Sequence, residues 1–131
     1  MTKATDNIAL VRKGFEAFNK GDVATLKEVL TADCVQHMAG KNRFSGDHKG
    51  RDNMLEMYGE IGALTNGTFQ AVLNDVYATD HGVIAIFTAT ATRNGQSLEQ
   101  RNAMAFTIVD GKATDLDEIP LNGEVNDAFW A

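Results

Sequence analysis

The chain has 131 residues, 44% of them hydrophobic, and a formal net charge of −6. That describes one domain with room for a single core, and an acidic chain with no more than two adjacent basic residues argues against a nucleic-acid groove or an anionic membrane surface. Cys34 alone permits no internal disulfide, the first residues lack the apolar run of a signal peptide, and nothing approaches the ~20 apolar residues of a membrane span, so the expectation is a soluble, cytoplasmic protein.

Helical spacing fills the first third. Ile8, Val11, Phe15 and Phe18 recur at three- and four-residue steps after caps at Thr5 or Asp6. Asn19-Lys20-Gly21-Asp22 breaks the pattern, and Asp22 suits the N-cap of a short second helix with Leu26, Val29 and Leu30. A short strand from Asp33 to Ala39 and a polar loop from Gly40 to Gly50 follow. A third helix begins near Arg51 or Asp52, carries Met54, Met57, Tyr58, Ile61 and Leu64 on one face, and ends at Asn66-Gly67. The rest reads as four strands, Phe69–Ala78, Val83–Arg93, Gln96–Val109 and Lys112–Leu121, turned at Asp80-His81-Gly82, Asn94-Gly95 and Asp110-Gly111. Helices followed by a meander predict an α+β domain with helices on one face of an antiparallel sheet.

Asn94-Gly95 fits a two-residue type I′ loop. Arg93 then pairs with Gln96, Ala89 with Gln100, Phe87 with Asn102 and Ala85 with Met104, and paired residues share a face. The face with Phe87, Met104 and Phe106 is the natural seat for the helices. Gln100 and Asn102 are its only polar members, and they fit either a sheet rim or the lining of a cavity. The opposite face carries Ile84, Ile86, Thr88, Thr90, Ala103, Ala105 and Thr107. It is too apolar for a solvated sheet face and predicts a homodimer there, with cover by the chain's own segments as the alternative.

Asp115-Leu116-Asp117-Glu118 places three carboxylates in four positions of the last strand. Which of them points inward depends on the bend at Asp110-Gly111. A two-residue loop pairs Val109 with Lys112 and turns Asp115, Asp117 and Ile119 to the core. A three-residue loop with a G1 bulge at Gly111 pairs Ile108 with Lys112 and turns Thr114, Leu116, Glu118 and Pro120 inward, because a one-residue slip inverts every side chain. The second arrangement buries one carboxylate instead of two and also buries Leu116, so it is preferred. It sets Glu118 opposite or diagonal to Asn102, with Phe87 in the next strand: a polar pair in an apolar wall, as in small-molecule pockets.

Phe15-Glu-Ala-Phe-Asn-Lys-Gly-Asp22 resembles the first-helix signature of the SnoaL-like branch of the nuclear transport factor 2-like superfamily. Asp33-Cys-Val-Gln-His37-Met-Ala-Gly40, Ser45-Gly-Asp-His-Lys-Gly-Arg51 and Asp110-Gly-Lys112 resemble further motifs of that branch, in the same order. The likeness covers almost the whole chain. It implies a single α+β domain over residues 1–131, shaped as a cone-like barrel of curved antiparallel sheet wrapped around N-terminal helices, and often homodimeric. The activities it implies are cyclase, isomerase, dehydratase or hydrolase chemistry, alongside non-catalytic members. Polyketide cyclases and epoxide hydrolases of this kind use a carboxylate on the last long strand, the position Glu118 matches. The tyrosine and two aspartates of the steroid isomerases fall on Gly14, Met38 and Met104, which excludes that chemistry. The Arg/Asp pair of the epoxide hydrolases is represented only by Arg101, which the register turns outward. The histidine of the cyclases falls on Asn102 or Met104.

The expected activity is therefore acid-base catalysis on a small, largely apolar organic molecule, with no cofactor. The alternative is a non-catalytic small-ligand-binding protein of the same fold. Glu118 is expected to transfer the proton, because burial beside apolar side chains raises a carboxyl group toward neutral pH. Asn102 would orient the ligand or Glu118. His37, which lies in the Asp33–Gly40 motif that carries the resemblance, is the second titratable candidate, although strand alternation sets it with Val35 and Ala39, opposite Gln36 and Met38. The expected lining is Phe18, Met38, Phe44, Met54, Tyr58, Phe87, Gln100, Met104 and Leu116. Three scattered histidines and one cysteine offer no metal-ligand spacing.

Overall fold

The computed structural model describes residues 2–131. They form α1 (Lys3–Lys20), α2 (Val23–Val29), β1 (Leu30–Met38), β2 (Gly46–Lys49), α3 (Arg51–Leu64), β3 (Gln70–Ala78), β4 (Gly82–Arg93), β5 (Gln96–Val109), β6 (Lys112–Pro120) and α4 (Gly123–Phe129). Helix α1 starts before the expected caps: Thr2 is its N-cap, and the Thr2 hydroxyl accepts from the Thr5 amide at 3.2 Å. Gly21, at φ 67°, ends the helix in the left-handed region, and Asp22 caps α2 by accepting from the Thr25 amide at 3.1 Å. The loop after Gly40 holds the short strand β2, and the segment beyond β6 forms α4, which periodicity did not disclose.

The six strands lie in the order β2-β1-β6-β5-β4-β3. Strand β1 runs parallel to β6 and the other neighbours are antiparallel, so the sheet is mixed and not wholly antiparallel. The expected barrel is also corrected: the sheet is open, with β2 and β3 as its edges. A physical reason is visible at β3. The Asn19 side chain at the end of α1 donates to the Ala71 carbonyl at 2.8 Å and accepts from the Ala71 amide at 2.8 Å. A helix-borne amide thus occupies backbone groups that another strand would need. At the other edge, β2 is only four residues long.

The β4–β5 ladder follows the type I′ register throughout, from Arg93↔Gln96 to Val83↔Phe106, with Asn94 and Gly95 at φ 52° and 77°. The last bend differs from the preferred three-residue loop. It is a two-residue turn pairing Val109 with Lys112, with Asp110 and Gly111 at φ 50° and 78°. The extra residue comes afterwards: Ile108 faces Ala113 and Thr107 faces Asp115, so Thr114 is the bulge. A bulge in the bend itself would have turned Lys112 inward. The later position leaves Lys112 exposed, buries Ala113, and still brings Leu116 opposite Phe106 and Glu118 opposite Met104.

The core lies between the inner sheet face and α1 and α3. Phe15 of α1 meets Phe87 of β4 edge-on at 5.1 Å, and Phe18 meets Tyr58 of α3 at 5.2 Å. Helix α4 closes one end. Trp130 packs edge-on against Phe44 at 4.9 Å and stacks on Phe69 at 6.2 Å. Arg93 Nη1 donates to the Phe129 carbonyl at 2.9 Å, and Arg43 Nε donates to that of Trp130 at 3.1 Å.

Candidate functional site

Phe15 and Phe18 of α1, Tyr58 of α3, and Phe87, Met104 and Leu116 of the sheet stand apart enough to leave a cavity of about 80 Å³. A second cavity of about 30 Å³ lies toward α4, between Phe44, Leu98, Asn102, Pro120, Asn126 and Trp130. Met38, Ile61, Phe69 and Glu118 belong to both walls, so Glu118 lies in the wall that the two cavities share.

The parallel pairing of β1 with β6 sets Met38 beside Glu118 and Gln36 beside Leu116. Gln36 therefore shares the inner face with Glu118 and sits diagonal to it. It is 1% exposed. The Tyr58 hydroxyl donates to Gln36 Oε1, which turns the other end of the amide toward β6. Gln36 Nε2 then reaches Glu118 Oε1 at 3.4 Å and Met38 Sδ at 3.3 Å. One carboxylate oxygen is thus held by a long, weak hydrogen bond. Glu118 is half-buried and lines both cavities. No cation belongs to either wall among the described residues, and loss of water raises the carboxyl from 4.5 to about 7. Burial also raises the Tyr58 phenol, with the Glu118 charge adding to the effect, so the phenol remains a donor.

The other candidate residues divide clearly. Phe18, Met38, Tyr58, Phe87, Met104 and Leu116 line the larger cavity, and Phe44 and Asn102 the smaller one. Met54 is fully buried in the core and is on neither wall. Gln100 is spent on structure: its Nε2 donates to the Asn122 carbonyl at 3.0 Å and its Oε1 accepts from the Asn122 amide at 3.2 Å, which fixes the approach to α4. Gln36 was the polar residue to find. The available signal was a glutamine between Cys34 and Met38 on the buried phase of a strand, where an amide is retained only with partners. Asn126 and Trp130 join the wall through a helix the periodicity did not reveal.

His37 lies on the outer face, away from Glu118. Its Nδ1 meets Asp47 Oδ1 of β2 at 2.7 Å and its Nε2 meets Asp115 Oδ2 of β6 at 3.1 Å. The imidazole thus clips three strands together. The Asp47 hydrogen bond, then that of Asp115, raises the histidine above its ordinary value, and His37 lowers Asp47. The sign follows. The imidazolium contribution is full below the unfolded histidine value and is lost as pH rises through the raised folded value, while the Asp47 contribution fades as pH falls through its lowered value. A His37→Gln variant is therefore expected to be most destabilised relative to wild type around pH 5 and least around pH 9. Urea denaturation at the two pH values checks this, and an equal difference at both would remove the clip.

A family model of the SnoaL-like domain matches residues 11–116. Over 132 aligned residues the chain is 36% identical to the uncharacterized protein Rv0034 of Mycobacterium tuberculosis, with all of both chains covered. The structure of Bal32a, from a soil-derived mobile gene cassette, is similar at 37% identity and a TM-score of 0.96, over 99% of this chain and 100% of that one. A protein of unknown function with a cystatin-like fold from Xanthomonas campestris is similar at 28% identity and a TM-score of 0.89, over 95% and 98% of the two chains.

Proposed function

This chain belongs to the SnoaL-like domain family, a small-molecule-binding fold, and from that premise we propose that it is a cytoplasmic enzyme using acid-base catalysis in an apolar pocket. The substrate class is a small, largely apolar organic molecule, and the reaction is of cyclase, isomerase, dehydratase or hydrolase type. The observation that carries this reading is a lone carboxylate, Glu118, on the wall of a largely apolar cavity, with one oxygen held by Gln36. Such a group exchanges protons near neutral pH, where a general acid or base is most effective. Tyr58 and Gln36 position it. Asn102 belongs to the smaller cavity and is suited to contact the ligand. The test is Glu118→Gln, measured on the first compound turned over from a panel of small ketones, enones, epoxides and alcohols. Loss of turnover with retained binding supports the enzyme. Retained affinity with no turnover in either protein supports a non-catalytic binder of the same fold.

The outer sheet face supports a homodimer as part of the same reading. Tyr77, Ile84 and Ala105 form one row that ends at the exposed Asp117, and Ile86, Ala103 and Ile119 form the next, which begins at the exposed Asp75. Tyr77 is 57% exposed, Ile84 38% and Ile119 55%, an apolar patch rimmed by Asp75 and Asp117, of the kind that meets a partner. Sedimentation of the wild type is expected to give twice the chain mass. Ile84→Glu should give the single-chain mass with an unchanged far-UV spectrum, and a monomeric wild type would remove this part.

A further inference from the structure

Asn102 is 5% exposed, yet its Oδ1 is fully enclosed and accepts no hydrogen bond. A buried acceptor left unpaired keeps the full cost of its lost hydration, and such a group in a well-packed fold calls for a partner. Structural use is not the answer here, because the neighbouring inward amide, Gln100, is the one that binds the backbone of Asn122. Asn102 lies on the wall of the smaller cavity together with Glu118. The enclosed Oδ1 does not itself open on that space; the terminal torsion of an asparagine is broad, and a turn about it would bring the oxygen there.

The two cavities differ in chemistry. The larger has aromatic and aliphatic walls, and its polar groups, Gln36, Tyr58 and Glu118, are bonded to one another. The smaller carries Asn42, Asn102 and Asn126 beside Glu118. The Asn42 amide is already committed, donating to Asp127 Oδ1 at 2.8 Å and accepting from the Phe44 amide at 2.8 Å. Neither wall holds a Lys, Arg or His among the described residues, so an anionic head group would find no countercharge.

We infer that the smaller cavity is a subsite for the hydroxyl group of an uncharged one- or two-ring ligand whose apolar body fills the larger cavity, with Asn102 Oδ1 accepting the hydroxyl hydrogen bond. Glu118, which lines both cavities, then lies beside the bond that joins the polar head to the apolar frame. This rests on the small-molecule site proposed above and names the substrate class for it. Its test involves no turnover, so it can fail while the catalytic role stands, and the reverse.

The probes are 1-indanol and indane, one frame with and without the hydroxyl, titrated calorimetrically into the full chain. Wild type is expected to bind 1-indanol about tenfold more tightly, the worth of one hydrogen bond to a group otherwise left unpaired. Asn102→Leu, which removes the acceptor and keeps the bulk, is expected to bring the ratio to about twofold or less while binding indane at least as tightly. Asn102→Ala reads the same ratio should the leucine variant not fold. Equal affinities in wild type, which would assign the smaller cavity to water alone, a preference that survives in the variant, or no binding of either compound would each overturn the inference.

Discussion

Replacing Glu118 by Gln is expected to lower turnover by about 10²–10⁴-fold, the range supplied by a positioned proton-transfer group, and at the same time to stabilise the protein above neutral pH. The two effects share one cause. Desolvation raises the Glu118 carboxyl from 4.5 to about 7. Between those values the folded state holds a proton that the unfolded state has lost, so wild-type stability falls as pH rises through that window and levels off above about 7. A shift of that size corresponds to a cost on the order of 3 kcal/mol at alkaline pH. Glutamine keeps the shape and has no proton to lose, so the variant lacks the slope. The direction of the rate profile assigns the role: activity that rises through about pH 7 marks a general base, and activity that falls marks a general acid. Denaturation curves and initial rates across pH 5 to about 9 check both effects. A variant with wild-type turnover and the wild-type stability slope would remove Glu118 from the mechanism and from the buried state alike.

Gly82→Ala is expected to have the largest effect on folding, roughly 3 kcal/mol of destabilisation. A Cβ at this position would lie 2.0 Å from the Phe106 carbonyl oxygen and 3.1 Å from the Ile108 amide nitrogen. Both belong to the β5 backbone, which cannot swing aside as a side chain would. Ile108 N donates to the His81 carbonyl at 2.9 Å, and Gly82 pairs with Thr107, so relief would open the start of the β4–β5 ladder. That ladder carries Phe87, Asn102 and Met104, and a strand displaced there distorts both cavities. The midpoint of urea unfolding checks the magnitude, and a loss within about 0.5 kcal/mol, the usual range for surface substitutions, would show that the close approach is not maintained in solution.

Local chemistry made much of the fold legible. The Asn94-Gly95 dipeptide and the period-two alternation on both sides of it lead to the whole β4–β5 ladder, because turn type and hydrophobic phase specify one register. Asp22 capped its helix as expected, since a cap depends only on a few neighbouring residues. The inward direction of Glu118 was also readable, from the cost of burying two carboxylates instead of one. The device that achieves it was not. The preferred bulge in the bend is replaced by a later one at Thr114, because only the assembled sheet sets Ala113 beside Leu30 and leaves Lys112 outside.

What the sequence by itself determined is which residues are apolar, where the chain turns, and that one acid of the last strand faces the helices. Tertiary structure decided the rest. It kept the sheet open, because the Asn19 amide occupies edge groups of β3 across a long separation in sequence. It joined Tyr58, Gln36 and Glu118, which come from a helix and two parallel strands whose adjacency no local pattern encodes. It also placed Asn102 between Glu118 and the closing helix with its oxygen unpaired. Periodicity reports the face a side chain takes on its own element, whereas a site depends on which elements meet, and that is settled by long-range packing.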